Sequence, residues 1–576
     1  MTPEVSADSP VSASSNVTPE VSADVPAEES VPVITVPSNA DDLMSPLPPA
    51  QQRRRPRGRP PTGHVWDVRH GRYLPVARSA SHPSPQLIWA MVSNRVLGPG
   101  EPTSIREALS GPYADKWRAA IDAELSSLRK CKTWRGIRRS GMPPGSVPIR
   151  SKWVFKLKRD TDGKVVRFKA RLVACGYAQK YGRDYRETYS PVASAASIRF
   201  VFALAATQDM VLSQHDIETA FLYGVLPEDQ RVYLRIPEGV DLPSDHVLEC
   251  LKAIYIYGLK QAPRLFNEHL RAVIAALGYR QSLSDPCVFF LVEGDQRSVL
   301  AIVVDDILHA ASSRAMIDRF SAHMDRTYRI KHMGTPRLMI GLRITRTDSH
   351  IALDQAHYIR EVAAKFKQVD SVPVHSPACV TGCLGSADGG DSTPLDLDAF
   401  PYMSLLGSLL WVTLTRPDVA TVVSRACSHG AAPTRAHWRA AIRILRYLLA
   451  TCELGLRFTV RLQLPTVLAY VDAAFANEPG KKSRYGFAVF LCSCLISWTS
   501  KCTSMVCLST AESEFVAATE AAKDVVWLRG LLLELGFTLT SPSVLLEDNQ
   551  ACVSMIGNNS VSGRNRHFAV KMAWLS

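Results

Sequence analysis

The chain has 576 residues, 46% hydrophobic and 21% charged, with a formal net charge of +13. At about 150 residues per domain this allows three or four domains with ordinary apolar cores. It excludes a secretory signal, because the N-terminus is acidic and lacks an apolar core, and a membrane helix, because no apolar run approaches the roughly 18 residues required.

The 13 cysteines are scattered, with no CxxC pair and no Cys/His cluster at zinc spacing. Reduced thiols in an intracellular protein, cytoplasmic or nuclear, are the simplest account.

Residues 1–50 hold eight acids and no Lys or Arg, so the +13 of the whole becomes +21 over the remainder. A basic body suits a polyanionic partner, although many soluble proteins are simply basic. Residues 1–62, rich in Ser, Pro, Val and Ala, are predicted to be disordered. Their heptapeptide TPEVSAD at 2–8 recurs at 18–24 as a local duplication. The basic stretch 53–60 follows, with Arg57 and Arg59 in an RGRP core that resembles an AT-hook for the A·T minor groove. A basic linker or a nuclear-import signal is the plainer reading.

Globular sequence begins near Ser104, a candidate N-cap for apolar residues at helical spacing over 104–130. Residues 152–175 alternate as strands do, with Asp162-Gly163 as the turn. Helices are predicted over 197–210 and 263–278. Two strand-like runs over 287–304 are separated by Glu293-Gly294-Asp295 and end in Asp305-Asp306. A Gly/Asp/Ser-rich loop covers 380–400, and helices return at 402–412 and 435–450. From 466 the pattern reads as three strands, a helix (511–535), a strand (543–547) and the start of a last helix.

The pair Asp305-Asp306 after the apolar run Ala301–Val304 is the most informative feature. Adjacent unpaired carboxylates repel, and a divalent cation removes that cost. Asp216, upstream in Gln214–Phe221, supplies a third. Aspartates from separated strands can hold two Mg²⁺ about 3.5–4 Å apart for in-line phosphoryl displacement. Alone, an Asp pair is more often an ordinary surface turn.

Longer strings surround these acids in a fixed order: KWVFK at 152–156, KARLVA at 169–174, DY at 184–185 with ETYSPV at 187–192, Asp216 to Phe221, YGLKQAPR at 257–264, VVDD at 303–306 and TRPD at 415–418. They resemble the reverse transcriptase of copia-type retrotransposon Pol polyproteins, over about four-fifths of the chain. The resemblance implies an α+β multidomain protein. A right-hand polymerase of fingers, palm and thumb would be followed by a ribonuclease H-like α/β domain. The expected divisions are 1–103 (disordered or linker), 104–310 (fingers and palm), 311–465 (thumb and connection) and 466–576 (ribonuclease H-like).

By motif position Asp216, Asp305 and Asp306 take the metal-binding places, with two Mg²⁺ per active site or Mn²⁺ in their stead. Phe221 takes the place of the aromatic gate that excludes a ribose 2′-hydroxyl. Gln261 resembles the residue that touches the incoming nucleotide. Lys158 and Arg171 resemble the triphosphate clamp. The implied partners are an RNA template, a DNA primer or RNA–DNA hybrid, deoxynucleoside triphosphates and other retroelement products, in a cytoplasmic virus-like particle or the nucleus.

Residues 466–576 are similar to the ribonuclease H domain of the same elements, through YVDA at 470–473, SW at 497–498, LSTAESEF at 508–515 and EDNQ at 547–550. Asp472, Glu514 and Asp548 take its metal-binding positions. Glu512 and Glu547 are read as solvent-facing acids. Three features depart from the family pattern: Val303 stands for a tyrosine, an Ile-Tyr duplication spans 254–257, and Ala569 stands for a fourth aspartate. Without that fourth ligand the nuclease is expected to be impaired, while the polymerase triad is complete. A catalytically silent relic that binds nucleic acid is the alternative to an active polymerase.

Overall fold

The β-branched run Val33–Val36 forms the first strand, β1, within the stretch whose composition predicts disorder. In the computed structural model the described residues are 101–378 and 391–557, except 160–164, 219, 225, 252–258 and 463. Three short N-terminal strands are also described: β1, β2 (His64–Asp67) and β3 (Arg72–Pro75). Arg57, Arg59, the Asp162-Gly163 turn, the Ile-Tyr duplication and Ala569 lie outside them.

The predicted helix over 104–130 is two helices, α1 (Ile105–Ser110) and α2 (Ala114–Lys130). The break falls at Gly111-Pro112, where proline supplies no N–H and clashes with a preceding turn. Ser104 caps α1 by accepting from the Glu107 N–H. α2 buries Trp117, Ile121, Leu125 and Leu128. Strand β4 (Trp134–Arg138) precedes a long antiparallel pair, β5 (Ser151–Arg159) and β6 (Val165–Ala174), running from Ser151 opposite Ala174 to Lys158 opposite Arg167. Trp117 meets Phe155 edge to face, centroids 5.2 Å apart.

Helix α3 (Ala195–Thr207) is buried along its whole length. After it come β7 (Val211–Ile217), β8 (Val232–Leu234), β9 (His246–Cys250), α4 (Ala262–Ala276), β10 (Arg280–Gln281), β11 (Val288–Glu293), β12 (Gln296–Val303), β13 (Asp306–Ala311), α5 (Arg314–Asp325) and β14 (Ile330–Gly334). Six of these strands make one sheet in the order β10-β11-β12-β13-β7-β14, every neighbour antiparallel. Beyond it, β15 (Leu338–Met339), β16 (Leu342–Arg346) and β17 (His350–Asp354) lead into helices α6 (Ala356–Lys365), α7 (Tyr402–Val412), α8 (Ala420–Ser428) and α9 (Arg435–Ala450). Strand β18 (Leu456–Thr459) closes that smaller sheet against β17.

The C-terminal unit holds β19 (Val467–Glu478), β20 (Lys482–Leu491), β21 (Cys494–Cys502), α10 (Thr510–Glu534), β22 (Ser543–Leu546) and α11 (Gln550–Gly557). Its sheet order is β1-β22-β19-β20-β21. β19 and β22 are parallel, so the chain crosses between them through α10.

Buried Arg199 on α3 joins the units. Its Nε donates to the Ile496 carbonyl at 2.7 Å, its Nη1 donates to the Leu414 carbonyl at 2.8 Å, and its guanidinium lies 4.0 Å from the Trp498 ring centroid. Arg297 makes a second tie, donating to the Leu535 carbonyl at 2.9 Å. Replacing Arg199 by Met keeps the stem but orphans two buried carbonyls, so R199M should lose about 3 kcal/mol of stability. Denaturant unfolding checks this, and an unchanged midpoint contradicts it.

Candidate functional site

Strand register builds the first acidic site. Asp216, near the end of β7, lies directly opposite Asp306, the first residue of β13. Val303 pairs with Asp306, leaving Val304-Asp305 as a two-residue turn. Val304 has φ +60°, a left-handed conformation that costs a β-branched residue about 1–3 kcal/mol. The sheet holds this turn, and the Ile217 N–H donates to the Asp305 carbonyl at 3.0 Å. Facing residues of an antiparallel pair have Cβ atoms about 5 Å apart on one side, so the register presents Asp216 and Asp306 together. Behind them buried His215 contacts His332, Nδ1 to Nδ1, at 2.8 Å.

The Asp305 carboxyl is held above the usual range, first by burial and then by the charge of Asp216. Arg171 and Lys169 on β6 pull it the other way, so that hairpin's basic face reaches the site. The same two bases act on Glu124 of α2, which burial raises to about 7 while the Leu172 N–H opposes. Helical spacing sets Glu124 beside the buried stripe, three residues after Ile121 and four before Leu128, although its residue type predicts a solvent-facing acid.

Lys158 lies on β5 opposite Arg167, and Phe221 lies in the short turn Ala220–Tyr223; their side chains are outside the described residues. Gln261 is 1% exposed, and both ends of its amide are engaged within the protein. Its Nε2 donates to the Asp184 carbonyl at 2.9 Å and its Oε1 accepts from Gln179 at 3.0 Å.

The second site is tighter. Parallel pairing sets Tyr470 opposite Leu546, which brings Asp472, in the middle of β19, level with Asp548, two residues past the end of β22. Glu514 enters from the first turns of α10. Ligand oxygens of Asp472, Glu514 and Asp548 all lie within 4.8 Å of one another. Among the described residues no other His, Cys or acid trio is so close, Asp216, Asp305 and Asp306 included. Burial, then the charges of Glu547, Asp472 and Asp548, raise Glu514 to about 8.

Two readings of the sequence need correction here. Glu512 is buried, not solvent-facing. It accepts the Leu508 N–H at 2.6 Å while Ser509 Oγ accepts the Glu512 N–H at 3.2 Å, closing the helix start. Glu547 is also fully buried, because alternation along β22 turns it to the same side as buried Leu545. Burial raises it to about 7.

Residues 132–380 match the family described as reverse transcriptase (RNA-dependent DNA polymerase). The Pol polyprotein of transposon TNT 1-94 from Nicotiana tabacum is 34% identical over 484 residues, 82% of this chain and 36% of that protein. That of transposon RE2 from Arabidopsis thaliana is 32% identical over 469 residues, 81% of this chain and 31% of that protein. The chain belongs to the copia-type Pol polyproteins. A more distant relative, the Ty1-H Gag-Pol polyprotein of Saccharomyces cerevisiae, is 23% identical over 485 residues, 79% of this chain and 26% of that protein. This copia-type chain spans about a third of the length of the plant polyproteins it matches.

The raised carboxyls of the second site predict a pH dependence. Glu514 and Glu547 have folded pKa values of about 8 and about 7 against 4.5 for the free group, so the folded state binds more protons. Their contribution to stability is complete below about 4.5 and is lost as pH rises through 7 to 8. His215, lowered to about 4 from 6.5, acts in the opposite sense, and its effect fades above pH 6.5, at the lower edge of this window. Thermal unfolding in chelator should therefore fall in temperature from pH 6.5 through about 8, and Mn²⁺ should reduce the fall. A melting temperature that rises over that range contradicts the electrostatics.

Proposed function

We propose that this chain is an RNA-directed DNA polymerase with an attached ribonuclease H, copying an RNA template from a DNA primer. The β5–β6 pair acts as fingers, the six-stranded sheet as palm, residues 311–465 as thumb and connection, and the C-terminal unit as the nuclease. One observation carries the reading: a strand register that sets Asp216 against Asp306 with Asp305 in the adjoining turn.

All the acidic donors are hard carboxylate oxygens, which suit Mg²⁺ or Mn²⁺. Divalent cations held there supply activation of the primer 3′-hydroxyl and neutralisation of the departing pyrophosphate. Asp216, Asp305 and Asp306 fix where that charge sits. Arg171 acts electrostatically on the same turn, and its planar guanidinium can hold triphosphate oxygens by paired hydrogen bonds; Lys158 is the other basic residue of that clamp by motif position. Phe221 limits space at the sugar. Gln261 braces the 179–184 loop beside α4, at the position that the resemblance gives to the contact with the incoming nucleotide. In the second cluster Asp472, Glu514 and Asp548 support hydrolysis of the RNA strand of a hybrid.

Val303 next to the turn and Ala569 favour the second reading, a relic that binds nucleic acid without chemistry. Primer extension on poly(rA)–oligo(dT) separates the two. The purified chain should incorporate dTTP, and D305N should lower the rate about a thousandfold, equivalent to about 4 kcal/mol of transition-state stabilisation. Template binding without extension establishes the relic instead.

A further inference from the structure

Between β6 and α3 a tyrosine recurs at every fourth residue: Tyr177, Tyr181, Tyr185 and Tyr189. The loop that carries them is pinned from inside. Buried Asp184 accepts the Lys180 N–H at 2.8 Å and pairs with Arg183, and the Gly182 N–H donates to the Tyr185 carbonyl at 2.9 Å. Buried Gln179 accepts the Lys260 N–H at 2.8 Å, a second tie to the start of α4 besides Gln261. On this braced backbone Tyr177, Tyr181 and Tyr189 are 75%, 74% and 72% exposed, and Tyr181 meets Tyr185 edge to face with centroids 5.9 Å apart. Rings so exposed leave apolar surface in water that a bound partner would cover. Bases alternate with them: Lys180, Arg183 and Arg186 lie between the tyrosines, and Lys260 Nζ is 4.7 Å from the Tyr185 ring centroid. Both acids of the loop are engaged, Asp184 by Arg183 and Glu187 by Arg264.

We propose that this loop is a stacking platform for single-stranded template, the stretch not yet copied. The proposal rests on the polymerase reading. Every base has a π-face, so exposed rings take up successive bases whatever their sequence, while interleaved cations meet the phosphates. A duplex offers such rings only its terminal pair, whereas a single strand offers every base. The loop carries no Leu, Ile, Val, Met or Phe, so its exposed apolar surface is aromatic ring, which favours bases over a protein partner. Its two ends lie where a template base must be presented. It leaves β6, whose Arg171 acts on Asp305, and just past its far end the Ala193 N–H donates to the Ile302 carbonyl at 3.2 Å, one residue before Val303. Bracing by Asp184, Gln179 and Gln261 means that little loop ordering is left to be lost when a strand binds.

Fluorescence anisotropy of the full chain with labelled primer–template tests this, comparing a single-stranded RNA overhang, the same overhang made of abasic nucleotides, and a blunt duplex. Y177A/Y181A should bind the RNA overhang about tenfold more weakly than the wild type, and the blunt duplex equally well. Y177F/Y181F, which keeps the rings, should bind like the wild type. The abasic overhang should not distinguish Y177A/Y181A from the wild type. Circular dichroism confirms that each variant is folded. Wild-type-like affinity of folded Y177A/Y181A for the RNA overhang, as expected of tyrosines that dock protein instead, overturns the platform and leaves the polymerase reading standing. An equal loss on the abasic overhang also overturns it, because stacking is then not what binds. A wild-type chain that binds no primer–template overturns the polymerase reading and the platform with it.

Discussion

Carboxylates do not gather without being forced to, and the two acidic sites of this chain exist because strand pairing forces them together. Opposing Asp216 to Asp306 across β7 and β13, and bringing Asp472 level with Asp548 across β19 and β22, costs electrostatic energy that the sheets must absorb. Apolar strand interiors meet that cost: Ala301, Ile302, Ile307 and Leu308 behind the first site, and Ala469, Val471 and Leu545 behind the second, are all buried. The result is two acidic clusters set by strand pairing, and in the second the ligand oxygens of Asp472, Glu514 and Asp548 lie within 4.8 Å of one another.

The units carrying these sites are locked to one another through polar contacts inside apolar seams. Arg199 bridges the long buried helix to the C-terminal sheet and to the end of α7, and Arg297 bridges the central sheet to the turn after α10. A guanidinium suits this work because it donates in several directions at once while its flat face stacks on Trp498 or Phe537. The two sites are thereby held on one framework.

Much of this was legible in the sequence. The hairpin ending in Asp305-Asp306 reads directly from an apolar β-branched run meeting two acids, and helices near 402–412 and 435–450 read from their apolar spacing. The Gly111-Pro112 break was visible too, but sustained apolar spacing on both sides masked it. Ser509-Thr510-Ala511-Glu512 carries the spacing of a helix-start box, a local signal that Glu512 is structural. Glu547 was harder. At a strand end two adjacent acids must face opposite ways, and composition alone does not tell which turns inward. The roles of Glu124 and Gln261 depend on contacts between segments far apart in the chain, which no local pattern encodes.

The central claim is that strand register creates divalent-cation sites at these acids. Replacing the bound metal with Fe²⁺ and initiating hydroxyl-radical cleavage of the backbone reads out cation positions directly. The account predicts cuts beside Asp216, in the turn at Asp305, and near Asp472, Glu514 and Asp548, each suppressed by excess Mg²⁺. Cleavage scattered over the surface, or absent from the 303–306 turn, would contradict it.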